Sequence, residues 1–95
     1  MSEPTMLLFR NNRYSVIGNS HTLKQLHDRN ISGNLVKKMV YNSWDKIAVQ
    51  QTVALCTKNI KLLVLRINAN KYFLITCLDI TMRVKRTTTK IYLNI

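Results

Sequence analysis

Apolar residues recur at positions 35, 36, 39, 40, 44, 47 and 48, and spacings of three and four place them on one broad helical stripe. Lys37, Lys38, Asn42 and Asp45 fall elsewhere on the same wheel. The reading is a helix capped at Ser32 that starts at about Leu35 and runs on through "QQTVALC" to about residue 56. A stripe this wide has to be buried. A chain of 95 residues hides only about 60–70% of its unfolded surface, so the sequence raises the question of what covers it.

Ahead of that stripe, residues 1–6 read as a loose terminus and "MLLFRNNRY" as a short strand or an arm. "SVIGNSHTLKQLHDRN" reads as a turn at Gly18-Asn19 followed by a short helix. Asn19 or Ser20 is its N-cap, and Leu23 and Leu26 share one side. After Thr57 the pattern changes. "IKLLVLRI" is apolar and β-branched, and "NANK" is a turn in which Asn takes left-handed angles at low cost. In "YFLITCLDITMRVK", Ile80, Met82 and Val84 alternate with Thr81, Arg83 and Lys85, the period of a strand. "KIYLNI" puts Ile91, Leu93 and Ile95 on one face. The fold class expected is α+β: two helices, then three or four antiparallel strands. They form one small unit of two parts, residues 1–57 and 58–95.

Fifteen basic residues oppose Glu3, Asp28, Asp45 and Asp79, a net charge of +11. That balance implies an anionic partner. Eight of the fifteen lie from Lys58 onward, and Arg83, Lys85, Arg86 and Lys90 cluster around one turn. They read either as a solvated hairpin or as an edge that contacts phosphates. Aromatic residues do not interleave with this cluster as a base-stacking platform requires, so nucleic acid is expected to be held by its backbone. Trp44, in phase with Val40 and Ile47, reads as core or interface. Catalytic, cofactor and metal sites are not expected. Cys56, Cys77, His21 and His27 are the soft ligands, at spacings that suit no zinc site, and no Gly-rich phosphate loop or nucleophile motif is present. The two histidines read as solvated and the two cysteines as free, buried thiols in a reducing compartment. Neither a secretory leader nor a run of the ~18 apolar residues that span a membrane is read.

Several stretches, taken in order, resemble the small (gamma) subunit of the general transcription factor IIA. "LFRNNRYSVIGNS" resembles the opening of that family through Leu8, Phe9, Arg10, Ile17, Gly18, Asn19 and Ser20. "ISGNLVKKMVYNSWDKI" looks like its second helix, through Ile31, Leu35, Val40 and Trp44-Asp45-Lys46. "YFLITCLDITMRV" and "KIYLNI" are similar to its later strands, so the likeness runs from Leu8 to Ile95. The resemblance implies an N-terminal helical hairpin that is half of a four-helix bundle, followed by antiparallel strands that are half of an intersubunit β-barrel. It implies that a large-subunit chain covers Leu23, Leu26, Leu35, Val36, Met39, Val40, Trp44 and Ile47. Tyr72 and Phe73 are the nearest counterparts of the family's contact with TATA-binding protein. Arg83, Lys85, Arg86 and Lys90 then lie near promoter DNA phosphates. The implied role is a nuclear, heterodimeric, non-enzymatic subunit, a diverged paralogue, that holds TATA-binding protein or a relative on the promoter for RNA polymerase II initiation. Cofactors, membranes and small-molecule substrates have no part in it. The alternative is an independent small basic nucleic-acid-binding protein, such as a viral or RNA-binding accessory factor, that works without a large subunit.

Overall fold

The computed structural model describes residues 4–95; residues 1–3, half of the stretch read as a loose terminus, lie outside the described residues. Strands β1 (Met6–Arg10) and β2 (Ser15–Gly18) come first, followed by helices α1 (Ser20–Asp28) and α2 (Gly33–Tyr41) and a short 3-10 turn, Trp44–Lys46. Strands β3 (Thr52–Cys56), β4 (Ile60–Asn68), β5 (Lys71–Asp79) and β6 (Thr89–Tyr92) complete the chain. All six strands form one sheet in the order β1-β2-β5-β4-β3-β6. Neighbours β1/β2, β5/β4 and β4/β3 are antiparallel, whereas β2/β5 and β3/β6 are parallel.

Local chemistry sets the helix ends. The Asn19 side chain accepts from Thr22 N at 2.9 Å and starts α1, and Ser32 Oγ accepts from Leu35 N at 3.1 Å and starts α2. Each satisfies an amide that has no partner inside the helix. Asn30, at φ 56, stops α1 in a left-handed conformation that Asn tolerates. The expected run of the second helix to residue 56 is corrected: α2 stops at Tyr41. Asn42 Nδ2 donates to Lys38 O at 2.7 Å and Ser43 Oγ to Met39 O at 2.7 Å. The Ser43 hydroxyl takes the Met39 carbonyl that a continuing helix would have bonded through Ser43 N, which goes to Val40 O instead. Trp44 therefore sits in the 3-10 turn, off the helical stripe, and "TVALC", rich in β-branched and apolar residues, pairs as β3.

The stripe is covered by this chain's own sheet. Val36, Met39 and Val40 from α2, with Leu26 from α1 and Ile47, pack in one core with Val16, Val53, Leu55, Leu62, Val64, Tyr72, Leu74 and Cys77. Burying a side chain of this size contributes about 1.5–3 kcal/mol. The half-bundle and half-barrel architecture is thereby overturned: two short helices lie on a six-stranded mixed sheet in which strands dominate. Of the residues assigned to a large subunit, Leu26, Val36, Met39, Val40 and Ile47 are buried internally, Leu35 and Trp44 are half-buried against the same core, and Leu23 is exposed. The Cα radius of gyration, 12.3 Å, equals the ~12.4 Å of a compact 95-residue domain. Residues on both sides of position 57 supply strands to the one sheet.

A bulge in β5 docks α1. The pairing steps from Val64↔Leu74 to Leu63↔Thr76, leaving Ile75 unpaired. Unpaired backbone at a bulge needs another partner. The buried Thr22 hydroxyl lies 3.3 Å from Ile75 O and 3.2 Å from Leu74 O, and Gln25 Oε1 accepts from the Thr76 hydroxyl and, at 3.4 Å, from Cys77 N. Past Asp79 the expected alternating strand is also corrected. Its partner β4 begins at Ile60, the residue opposite Asp79, so residues 80–85 have no strand to pair with. Asp79 Oδ1 instead accepts from Thr81 N and Oγ1 at 3.0 and 3.1 Å and turns the chain. Residues 80–88 become a strap over the sheet face opposite the helices, where Lys61 Nζ donates to Met82 O at 2.8 Å.

Candidate nucleic-acid interface

The turn between β1 and β2 is built by one side chain. Asn11 Oδ1 accepts from Arg13 N at 2.8 Å and Tyr14 N at 2.9 Å, while Asn11 N donates to Tyr14 O at 2.9 Å. This Asx-type closure turns Tyr14 inward, where it is 4% exposed. Its ring meets Tyr72 edge-on at 5.2 Å and lies 6.1 Å from Trp44. The Tyr72 hydroxyl donates to Trp44 O at 2.9 Å. Arg13 stacks over Trp44 at 5.3 Å, an interaction that also fixes where its charge lies. Arg66 is architectural: it donates to Ile47 O, Ala69 O and Asn68 O and covers Tyr72.

Beside this rigid floor runs the polar side of α2. Asn34, Lys37, Lys38 and Tyr41 are spaced three, four and seven residues apart from Asn34 onward, which puts them on one helical face. Between that face and the end of β1 lies a cleft of about 360 Å³ lined by Phe9, Arg10, Asn11, Tyr14, Asn34, Lys37, Lys38 and Tyr41. Lys37 Nζ is 5.9 Å from the Phe9 ring centre. A second hollow of about 300 Å³ shares Arg10, Asn11 and Tyr14 and adds Arg13, Asn70 and Lys71 among its walls. The two are therefore contiguous around the turn. Together they carry Arg10, Arg13, Lys37, Lys38 and Lys71, and among the described residues no carboxylate, imidazole or thiol stands in either lining. Guanidinium, ammonium and amide groups in this arrangement hold phosphates.

Arg83, Lys85, Arg86 and Lys90 occupy a different surface. All four are exposed, Lys90 on β6 and the others on the strap. The strap covers a hollow of about 420 Å³ whose walls include Leu63, Leu78, Val84, Arg83 and Lys85. Tyr72 is fully buried, so the contact expected of it is corrected: its ring and hydroxyl are used within the chain. Phe73, on the opposite sheet face, is half-buried. His21 and His27 are exposed on α1, and Cys56 and Cys77 are free and buried. Sequence patterning does not single out Arg10, Lys37, Lys38 and Tyr41 as a site. The available signal is the pairing of "RNNRY" with the non-core side of "NLVKKMVY", two segments that local patterns do not connect.

Burial shapes the titration of the floor. It pushes the Tyr14 hydroxyl above its ordinary value; a hydrogen bond with the Asn11 side chain opposes this, and the adjacent Tyr41 adds to it. Burial also raises Tyr72, against the pull of Arg66, and raises both thiols, Cys56 against Lys61 and Cys77 against Arg29. All four are neutral when protonated, so their folded values exceed the unfolded 9.0 for Cys and 10.0 for Tyr. Their contribution to stability is complete below those values. It declines as pH rises above them, because the unfolded chain then releases protons that the folded one keeps. Under reducing conditions the urea midpoint is expected to hold level to about pH 8 and to fall by pH 11, with a shallower fall in Tyr14→Phe. A midpoint that rises over that range contradicts the burial of these groups.

Searches of protein-family models, of curated proteins and of solved structures return no match to this chain.

Proposed function

We propose that this protein binds nucleic acid without catalysing a reaction on it, gripping the phosphate backbone along the basic cleft around the β1–β2 turn. One observation carries the reading: five cations surround the Asn11-built turn, and among the described residues neither hollow that it joins contains an acid. The net charge of +11 supplies long-range attraction on top of that. Contacts to phosphate position a nucleic acid without reading its bases, so the binding is broad in sequence. The reading as a transcription factor IIA small subunit rests on a half-bundle and a half-barrel, which this fold lacks. The basic-surface reading needs neither.

The test uses the chain expressed alone and a fluorescein-labelled 12-nucleotide single strand, titrated by anisotropy between 50 and 200 mM salt. Single strands lose about 0.7 of a logarithmic unit of affinity per phosphate contact per decade of salt. Engagement of all five cations is expected to give a slope of about −3.5 and a loss near a hundredfold over that range. Absence of binding at 50 mM, or affinity that ignores salt, refutes the proposal.

A further inference from the structure

We infer that the cleft between α2 and the β1–β2 turn takes up one unpaired nucleobase against the ring of Tyr41. The inference rests on the nucleic-acid reading above and adds to it the part of the polymer that enters. Backbone binding alone accounts for Arg10, Lys37 and Lys38; it does not account for what stands among them. Tyr41 is 60% exposed, although Val36, Met39 and Val40 on the same helix are buried. It lies on the polar side of α2 with Asn34, Lys37 and Lys38, all four in the lining of one cleft. Phe9, Arg10, Asn11 and Tyr14 form the rest of the wall. A volume of about 360 Å³ falls at the low end of the range for small-molecule sites, the scale of a single nucleotide.

The chemistry of the wall fits a base rather than a bare phosphate. Every base has a π-face that stacks on an aromatic ring, and that interaction tolerates any sequence. Asn34 brings an amide that both donates and accepts, as the edge of an unpaired base does. Lys37 and Lys38 stand one turn before Tyr41 on the helix, and Arg10 ends the strand opposite, so phosphates beside a stacked base meet positive charge from two elements. The floor is pre-formed: Asn11 fixes the turn, and Tyr14 is locked against Tyr72 and Trp44. A paired base inside a duplex offers no free face to this cleft, whereas a base in a single strand does.

Three labelled probes of equal length test this on the intact chain: an oligothymidine 12-mer, an abasic 12-mer of the same phosphate count, and a 12-base-pair duplex. The wild type is expected to bind oligothymidine about tenfold more tightly than the abasic strand. Tyr41→Ala is expected to erase that ratio by weakening oligothymidine about tenfold, while leaving the abasic strand and the duplex within twofold. Tyr41→Trp keeps the preference, which separates loss of stacking from loss of fold. Equal wild-type affinity for oligothymidine and the abasic strand overturns the inference and leaves backbone binding standing. Equal weakening of duplex and single strand in Tyr41→Ala also overturns it. Failure of the wild type to bind any of the three overturns the backbone reading and this inference together.

Discussion

Replacing Arg10, Lys37 and Lys38 by glutamine in one variant is expected to weaken binding of a 12-nucleotide single strand about a hundredfold at 0.1 M salt. Each single-strand phosphate contact releases about 0.7 of a counterion, worth about fivefold at that salt, and three such contacts multiply to about a hundredfold. The salt slope is expected to flatten by about 2 in the same variant. Folding should survive. Arg10, Lys37 and Lys38 are exposed, and the cation–π interaction that the variant forgoes, Lys37 over Phe9 at 5.9 Å, is worth about 0.5–1 kcal/mol. The contrast is a variant carrying Arg83→Gln, Lys85→Gln, Arg86→Gln and Lys90→Gln. Those charges lie on the strap and on the edge strand β6, away from the cleft. The whole molecule measures 29 × 27 × 27 Å, and charges in 0.1 M salt are screened over about 10 Å. Single-strand affinity of that variant is expected to drop by less than about fivefold, the effect of one phosphate contact. If instead the triple variant stays within twofold of wild type and the quadruple variant collapses, the binding surface is the strap.

Tyr72→Ala is expected to cost about 3–5 kcal/mol, enough to leave much of a domain this small unfolded, since whole-domain stabilities start near 5 kcal/mol. Tyr72 is fully buried at the junction of three features: the ring of Tyr14, the guanidinium of Arg66 at 5.4 Å and, through its hydroxyl, the carbonyl of Trp44. Removing the ring empties the floor on which the β1–β2 turn rests, and the surroundings are held by hydrogen bonds that resist collapse into the gap. Tyr72→Phe keeps the ring and loses only the bond to Trp44 O, for about 1 kcal/mol. Urea unfolding followed by Trp44 fluorescence measures both. A Tyr72→Ala protein within 1 kcal/mol of wild type would show that the ring is not part of the core.

Much of the local structure is legible in the sequence. Ser32 reads as a cap and acts as one, and of Asn19 and Ser20 it is Asn19 that caps α1, because a cap is an interaction between residues three apart. "NANK" reads as a turn and joins β4 to β5, although neither Asn is left-handed; Asn68 Oδ1 closes it by accepting from Asn70 N at 3.0 Å. Sequence and structure part where two local signals compete or where a pattern has no partner. Apolar spacing carries the second helix past Tyr41, but the Ser43 hydroxyl captures the Met39 carbonyl. Alternation from Ile80 to Lys85 suggests a strand, yet β4 begins opposite Asp79 and leaves those residues nothing to pair with. The candidate cleft is invisible for a related reason. Arg10 and Lys37 belong to different elements, and a basic residue on an exposed strand end looks the same in sequence whether or not a helix lies beside it.

The sequence by itself determined the caps, the β4–β5 turn, the strongly basic charge and the change from helical to strand spacing, all of which depend on residues a few positions apart. Tertiary structure alone decided what lies on the apolar stripe. β2 pairs with β5 through Ser15↔Lys71, Val16↔Tyr72 and Ile17↔Phe73, and β3 pairs in parallel with β6. Parallel pairing needs long crossovers, and no neighbouring residue announces which distant strand will supply it. Those pairings widen the sheet until it underlies both helices, and they bring the β1–β2 turn beside α2, where five separate cations become one surface.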